Sequence, residues 1–294
     1  MLLNNDIYSK IYYINANGVT IDFTDYHNIA VLSGFSGYGL PDFSMSETVI
    51  PYEDIGILNS IRTVPREISV PIFLRGSEPF LIRRKMAEIM QFLSPDLGEG
   101  KLYIERPTGE KRFLKCIYKN GLDGNDKSIG KDYGTFIITF RAVDPYFYNS
   151  VESSYTFTEE SSEGSFLGNP FFPIFITQGA IYSNISFINT GDGIAYPVWT
   201  ITGVGDSLVL RNLTTGKFMQ LDYTISEGEI ITIDTRIGYK SIVNNSGINL
   251  MQYMASLSSF WLIEQGTNVI RVELSNSGVN TAVKIDYYLR YKEA

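Results

Sequence analysis

A mainly β protein of two domains, with one helix in the first, is the architecture this sequence predicts, and three observations lead to it. Short runs of Val, Ile, Tyr, Phe and Thr, bounded by Gly, Pro, Asn and Asp, recur along all 294 residues. Aromatic residues make up 14% of the chain, nearly all of them Tyr (20) and Phe (18), side chains that favour strands and contact surfaces. Only residues 77–95 carry the apolar spacing of an amphipathic helix. At roughly 150 residues per domain the length suggests two domains. Asp144-Pro145-Tyr146-Phe147-Tyr148 closes the first, giving 1–148 and 149–294.

In chain order, Ile11–Ile14 and Val19–Phe23 read as strands around Asn15-Ala16-Asn17-Gly18, a turn whose glycine supplies positive φ. Ile29–Leu32 is a short apolar strand, followed by a glycine-rich loop over Gly34–Pro41. Residues 42–64 lack strict periodicity and read as a long loop. Such loops usually carry a function, so residues 34–65 are the candidate arm. Arg66–Val70 alternates as a half-buried strand does. For the helix, Ser77 is the expected cap, Glu78 and Pro79 suit the first turn, and Ile82, Met86, Ile89 or Met90, and Leu93 form the buried stripe. Ser94-Pro95 ends it. A hairpin follows, Lys101–Arg106 and Lys111–Tyr118 around Pro107-Thr108-Gly109, then a polar loop 121–130 and the strand Tyr133–Ala142.

Beyond the boundary, Glu152–Gly168 is rich in Ser, Glu and Gly and suits a linker or an edge segment. About eight strand candidates then follow without a long helix, the pattern of a sandwich or jelly roll. The clearest are Asn184–Asn189, Val198–Thr202, Leu208–Leu213, Lys217–Leu221, Ile230–Thr235, Val269–Leu274 and Ala282–Tyr291, with Thr214-Thr215-Gly216 as a tight turn.

Composition removes several function classes. Lys and Arg number 24 against 32 Asp and Glu, a net charge of −8. Residues 1–150 carry 16 basic and 18 acidic groups, and residues 151–294 carry 8 and 14. An acidic chain is a poor partner for nucleic acid or an anionic membrane. No run approaches the roughly 20 apolar residues of a membrane helix, and Met1–Asp6 shows no secretory signal. One cysteine excludes an internal disulfide framework and a Cys-cluster metal site.

Several ordered segments resemble the distal tail proteins of long-tailed, non-contractile phages of Gram-positive bacteria. In the first half these are the glycine loop, the strand Arg62–Leu74, the lone helix ending Leu93-Ser94-Pro95, and Phe140-Arg141-Ala142-Val143-Asp144-Pro145-Tyr146-Phe147. In the second half they are Asn189-Thr190-Gly191-Asp192, Ala195-Tyr196-Pro197-Val198, Asn212–Gly216, Ile230–Thr235 and Leu262–Ile270. The resemblance implies an N-terminal ring-forming domain and a C-terminal galectin-like β-sandwich. It implies a structural hub of the tail tip, at the distal end of the virion's tail, made in the host cytoplasm. Six copies would form the ring, joining the tail tube protein to the tail-associated tip protein, and such hubs often carry receptor-binding proteins. Some relatives hold an inserted carbohydrate-binding module, for which 294 residues leave no room.

No catalytic, cofactor-binding or metal-binding residue is expected, and no cofactor. His27 is the only histidine and has no nucleophile motif beside it. Cys116 alternates with Leu114 and Tyr118 and reads as a buried hydrophobe. Gly34, Gly37 and Gly39 could suggest a phosphate cradle, but Pro41-Asp42-Phe43 follows where a helix would have to begin. Asp22 and Asp25 read as turn acids rather than a glycosidase pair. Arg83-Arg84-Lys85 reads as a solvated helix face, or as an inter-subunit partner for Glu53 or Asp54. Trp199 and Trp261 read as core. The alternative function is a carbohydrate-binding protein contacting cell-wall polysaccharide through its C-terminal sandwich.

Overall fold

The computed structural model describes residues 10–52, 54–123, 128–158 and 179–294. Contacts divide the chain into two compact units, Met1–Ser150 together with Tyr291–Ala294, and Val151–Arg290. The chain is mainly β, with one α-helix among the described residues.

In the first unit, β1 (Lys10–Ile14), β2 (Thr20–Asp22) and β3 (Ile29–Val31) lie where the alternation put them, and Gly18 has φ +80° in the β1–β2 turn. Residues 42–64 are not a loop. They form an antiparallel hairpin of β4 (Phe43–Val49) and β5 (Gly56–Thr63). The expected strand Arg62–Leu74 is likewise two strands, because the chain leaves β5 at Val64-Pro65 before β6 (Arg66–Arg75) begins. A proline removes a ladder donor and restricts its predecessor, so it interrupts a strand.

The helix α1 (Pro79–Phe92) buries Ile82, Met86 and Ile89, while Met90 of the expected pair is exposed. Its N-cap is Glu78 rather than Ser77, with no side-chain cap, and Pro79 starts the first turn. Leu93 is the buried C-cap, its N–H donating to the Ile89 carbonyl at 2.9 Å. The strands β7 (Gly100–Glu105), β8 (Lys111–Gly121), β9 (Tyr133–Ala142) and β10 (Phe147–Asn149) complete the unit. Sheet order is β2-β1-β7-β8-β9-β6-β3, with β10 against β8. The long β8 pairs with β7 through residues 111–116 and with β9 through 117–121, where a bulge lies between Tyr118 and Asn120. It thereby wraps the sheet around a core that includes Tyr13, Ile72, Ile82, Cys116 and Phe140.

The second unit is a sandwich. One sheet runs β11 (Ser153–Thr158), β19 (Ala282–Tyr287), β13 (Val198–Thr202), β16 (Ile230–Asp234), β17 (Ser241–Asn244). The other runs β12 (Gly179–Asn189), β18 (Gly266–Ser277), β14 (Gly205–Asn212), β15 (Lys217–Ile225). Every strand named from sequence is present, although the expected strand Ala282–Tyr291 ends at Tyr287 and Arg290–Tyr291 forms a separate short strand. The edge strands β11 and β17 were not named, although the edge reading of Glu152–Gly168 holds for Ser153–Thr158, and residues 159–168 lie outside the described residues. The core between the sheets centres on Trp199 and Trp261, which meet edge to face at 5.5 Å.

Candidate assembly surface

The β4–β5 hairpin sets two unlike faces back to back. Residues directly opposite each other in an antiparallel ladder share a face, and side chains alternate between faces along each strand. The register pairs Phe43 with Thr63, Met45 with Ile61, Glu47 with Leu58 and Val49 with Gly56. These residues occupy one face, which is apolar apart from Glu47 and Thr63. Ser44, Ser46, Thr48, Ile57, Ser60 and Arg62 fall on the other, which is polar apart from the exposed Ile57 and where the Asn59 amide donates to Thr48 Oγ1 at 2.7 Å. The ladder shifts between Ser46 and Glu47, leaving Asn59 as the extra residue of a bulge. That bulge puts Leu58 and Ile61 on one face although they are three residues apart.

The apolar face is open. Met45 is 59% exposed, Leu58 51% and Ile61 52%, and Val49, Ile55 and Tyr52 near the turn are also exposed. Among the described residues β4 and β5 pair only with each other, and a lone two-stranded hairpin is marginal in water without a surface to cover it.

The hairpin's root is held firmly. Arg66, buried at the start of β6, donates from Nη1 to the carbonyls of Gly37 (3.0 Å) and Gly39 (2.9 Å) and from Nη2 to the Lys292 carbonyl. Its guanidinium stacks on the Phe147 ring at 4.8 Å. Burial pushes its pKa below the ordinary guanidinium range, and the carboxylates of Asp144 and Asp42 push back. Gly37 has φ +90° and lies against the Glu67 carbonyl, so the glycine run is a close-packed turn.

The other residues singled out from sequence do structural work. His27 is exposed in a turn, its backbone N–H donating to the Asp25 carbonyl at 2.6 Å. Asp22 accepts from the Thr24 N–H and hydroxyl and pairs with Lys10 at 3.1 Å, while Asp25 accepts from the Asn28 amide. Cys116 is fully buried and burial pushes its thiol pKa far up. Arg84 pairs with Glu88 at 3.1 Å, and Lys85 donates to Asn28 Oδ1 (2.8 Å) and the Arg75 carbonyl (2.7 Å), so both have partners within the unit. Asp54 is exposed, and Glu53 lies outside the described residues. Trp199 and Trp261 are both buried, with the Trp261 indole donating to the Leu210 carbonyl at 3.0 Å. Neither ring offers a face to a sugar. Sequence reasoning expected a long loop over residues 42–64 and missed the two-faced hairpin.

Both the C-terminal sequence and the fold resemble those of tail components of long-tailed phages. Residues 190–291 match the family of siphovirus-type tail components, C-terminal domain. Among solved structures, the chain is similar to the Dit protein of phage SPP1, described as a paradigm of the hub adsorption apparatus in phages infecting Gram-positive bacteria. The TM-score is 0.69 at 14% identity, covering 95% of this chain and 98% of that one. It is also similar to a chain of the phage p2 baseplate in its activated conformation, at TM-scores of 0.53 with calcium and 0.52 with strontium and identities of 12% and 11%. Each of these matches covers 94% of this chain and 97% of the other. No curated protein matches in sequence. The resemblance to distal tail proteins is borne out by the C-terminal sequence and by the fold along nearly the whole chain.

Proposed function

We propose that the protein is a non-enzymatic hub of the siphophage tail tip, in which six copies close into a ring. The ring joins the tail tube protein to the tail-associated tip protein and carries receptor-binding proteins for host attachment. The observation that carries this reading is the hairpin, whose apolar face has no cover among the described residues of its own unit. A closed ring needs two different patches of one subunit to meet on neighbours, and a projecting strand pair supplies one of them. Contiguous exposed apolar surface of this kind marks an interaction site. The fold shared with hub and baseplate proteins supports the same assignment.

Particle mass in solution tests it. The intact protein is expected to run at six times its 33.1 kDa subunit mass by light scattering. The triple variant Met45→Ser, Leu58→Ser, Ile61→Ser is expected to be a monomer that keeps the parent's circular dichroism spectrum, since these side chains are exposed in the subunit. An intact protein that stays monomeric at every concentration, or a triple variant that still forms the ring, overturns the proposal.

A further inference from the structure

The solvent face of the β12-β18-β14-β15 sheet carries an arrangement that folding does not require. One row crosses all four strands in register: Asn184 opposite Arg271, Arg271 opposite Arg211, and Arg211 opposite Phe218. Two arginines thus sit directly opposite on one face, and like charges so placed are destabilising. The pairing is unexpected for its surroundings, because residues 151–290 contain only 7 Lys and Arg against 13 Asp and Glu.

Each guanidinium is held in the same manner. Arg271 donates from Nε to Asn184 Oδ1 at 2.8 Å and lies over the Tyr182 ring at 5.0 Å. Arg211 donates from Nε to Glu273 Oε1 at 3.0 Å and lies over the Phe218 ring at 5.3 Å. In both, the Nη groups meet no acceptor among the described residues. Two forks are therefore fixed side by side with their terminal donors unused, the geometry that takes the oxygens of an anionic group.

We infer that this face binds a glycan bearing spaced phosphate groups, with one phosphate seated between Arg211 and Arg271. The surroundings choose the ligand class. A protein partner would need an apolar centre, whereas here the Tyr182 and Phe218 rings lie beneath the guanidiniums and the row presents their free Nη donors beside the Asn184 amide, groups that meet the phosphates and hydroxyls of a glycan. A dense polyanion such as nucleic acid is disfavoured by the acidic unit around the site, while a sparsely charged glycan feels mainly the two forks. The inference uses no residue of the hairpin on which the hub reading rests.

The test is retention of the full chain on immobilised phosphate-substituted dextran, with unsubstituted dextran and an oligoglutamate peptide as comparisons. Binding to the phosphorylated polymer alone is expected, competed by millimolar inorganic phosphate and weakened at least tenfold in Arg211→Gln and in Arg271→Gln. Arg271→Lys should fall between, keeping charge without the fork. Equal binding to plain dextran, equal or stronger binding to oligoglutamate (which would mark an acidic-protein surface), no binding at all, or variants that bind like the parent overturn it. Arg271 contacts a neutral amide and a ring, so Arg271→Gln should keep the parent's melting temperature and carries the test even if Arg211→Gln unfolds. Both variants should keep the particle mass of the parent, whatever that mass is, which separates failure here from failure of the hub reading.

Discussion

Gly37 and Gly18 both have positive φ, +90° and +80°, yet they differ in what surrounds them. A Cβ on Gly18 would meet nothing within 4 Å, whereas one on Gly37 would lie 2.0 Å from the Glu67 carbonyl oxygen. Gly18→Ala therefore carries only the left-handed penalty of roughly 1 kcal/mol. Gly37→Ala adds a collision with backbone that cannot swing aside, for a total of about 3 kcal/mol from strain and overpacking together. Relief would pull the Gly37 and Gly39 carbonyls from Arg66, leaving a buried guanidinium short of acceptors. Urea midpoints of the two variants check this: the Gly37 change should be the larger, and equal midpoints would contradict it. The consequence also reaches beyond stability, because the same turn leads into β4.

Glu67 ties three strands. Its carboxylate on β6 accepts from Lys119 on β8 at 2.7 Å and from Arg141 on β9 at 3.1 Å. Lys119's hydrogen bond, opposed by desolvation and aided by the charges of Lys119 and Arg141, holds the Glu67 pKa below the usual carboxylate range. A depressed folded pKa means that the unfolded chain binds the proton more readily, so the stabilisation is present above the unfolded pKa and lost as pH falls through the folded one. Glu67→Gln should thus lower the melting temperature slightly at pH 7 and leave it equal to the parent's at pH 2. A gap that persists in acid would show that the link is not ionic. The same element scale explains what could be read from sequence. β1, β7 and β9 alternate because one side of each is buried, and α1 shows its stripe because Ile82, Met86 and Ile89 face the core. β4 and β5 bury neither side, and Glu47 interrupts the alternation of β4 while the bulge at Asn59 shifts that of β5, so residues 42–64 lack a strict period. The Arg211–Arg271 row was invisible for another reason: 60 residues separate its members, and only register brings them together.

At the scale of the whole molecule, the chain leaves the first unit at Ser150 and re-enters it for its last four described residues, Tyr291–Ala294. Sequence alone gave no reason to separate these from the second unit, since Arg290-Tyr291-Lys292 continues a strand-like run. Their attachment is made by side chains distant in sequence. Arg66 donates to the Lys292 carbonyl, Arg112 to the Glu293 carbonyl at 2.9 Å, and Arg106 to the Ala294 carbonyl, while the Ala294 N–H donates to the Tyr38 carbonyl at 3.0 Å. Arg112 also lies 3.8 Å over the Tyr291 ring, and Ala294 is buried. Deleting residues 291–294 therefore removes acceptors from three guanidiniums of the first unit, one of them buried. At about 1.5–3 kcal/mol for a hydrogen bond to a charged group, and allowing for water replacing the exposed ones, the first unit should lose about 3 kcal/mol, a fall of roughly 10 °C in its melting temperature. The second unit, which the deleted residues follow directly in the chain, should keep its stability. Hydrogen exchange resolved by peptide separates the two: faster exchange in β6, β8 and the Gly34–Pro41 turn, with β13, β18 and β19 unchanged, is the expected pattern. Loss of protection confined to β19 would instead place the tail with the second unit.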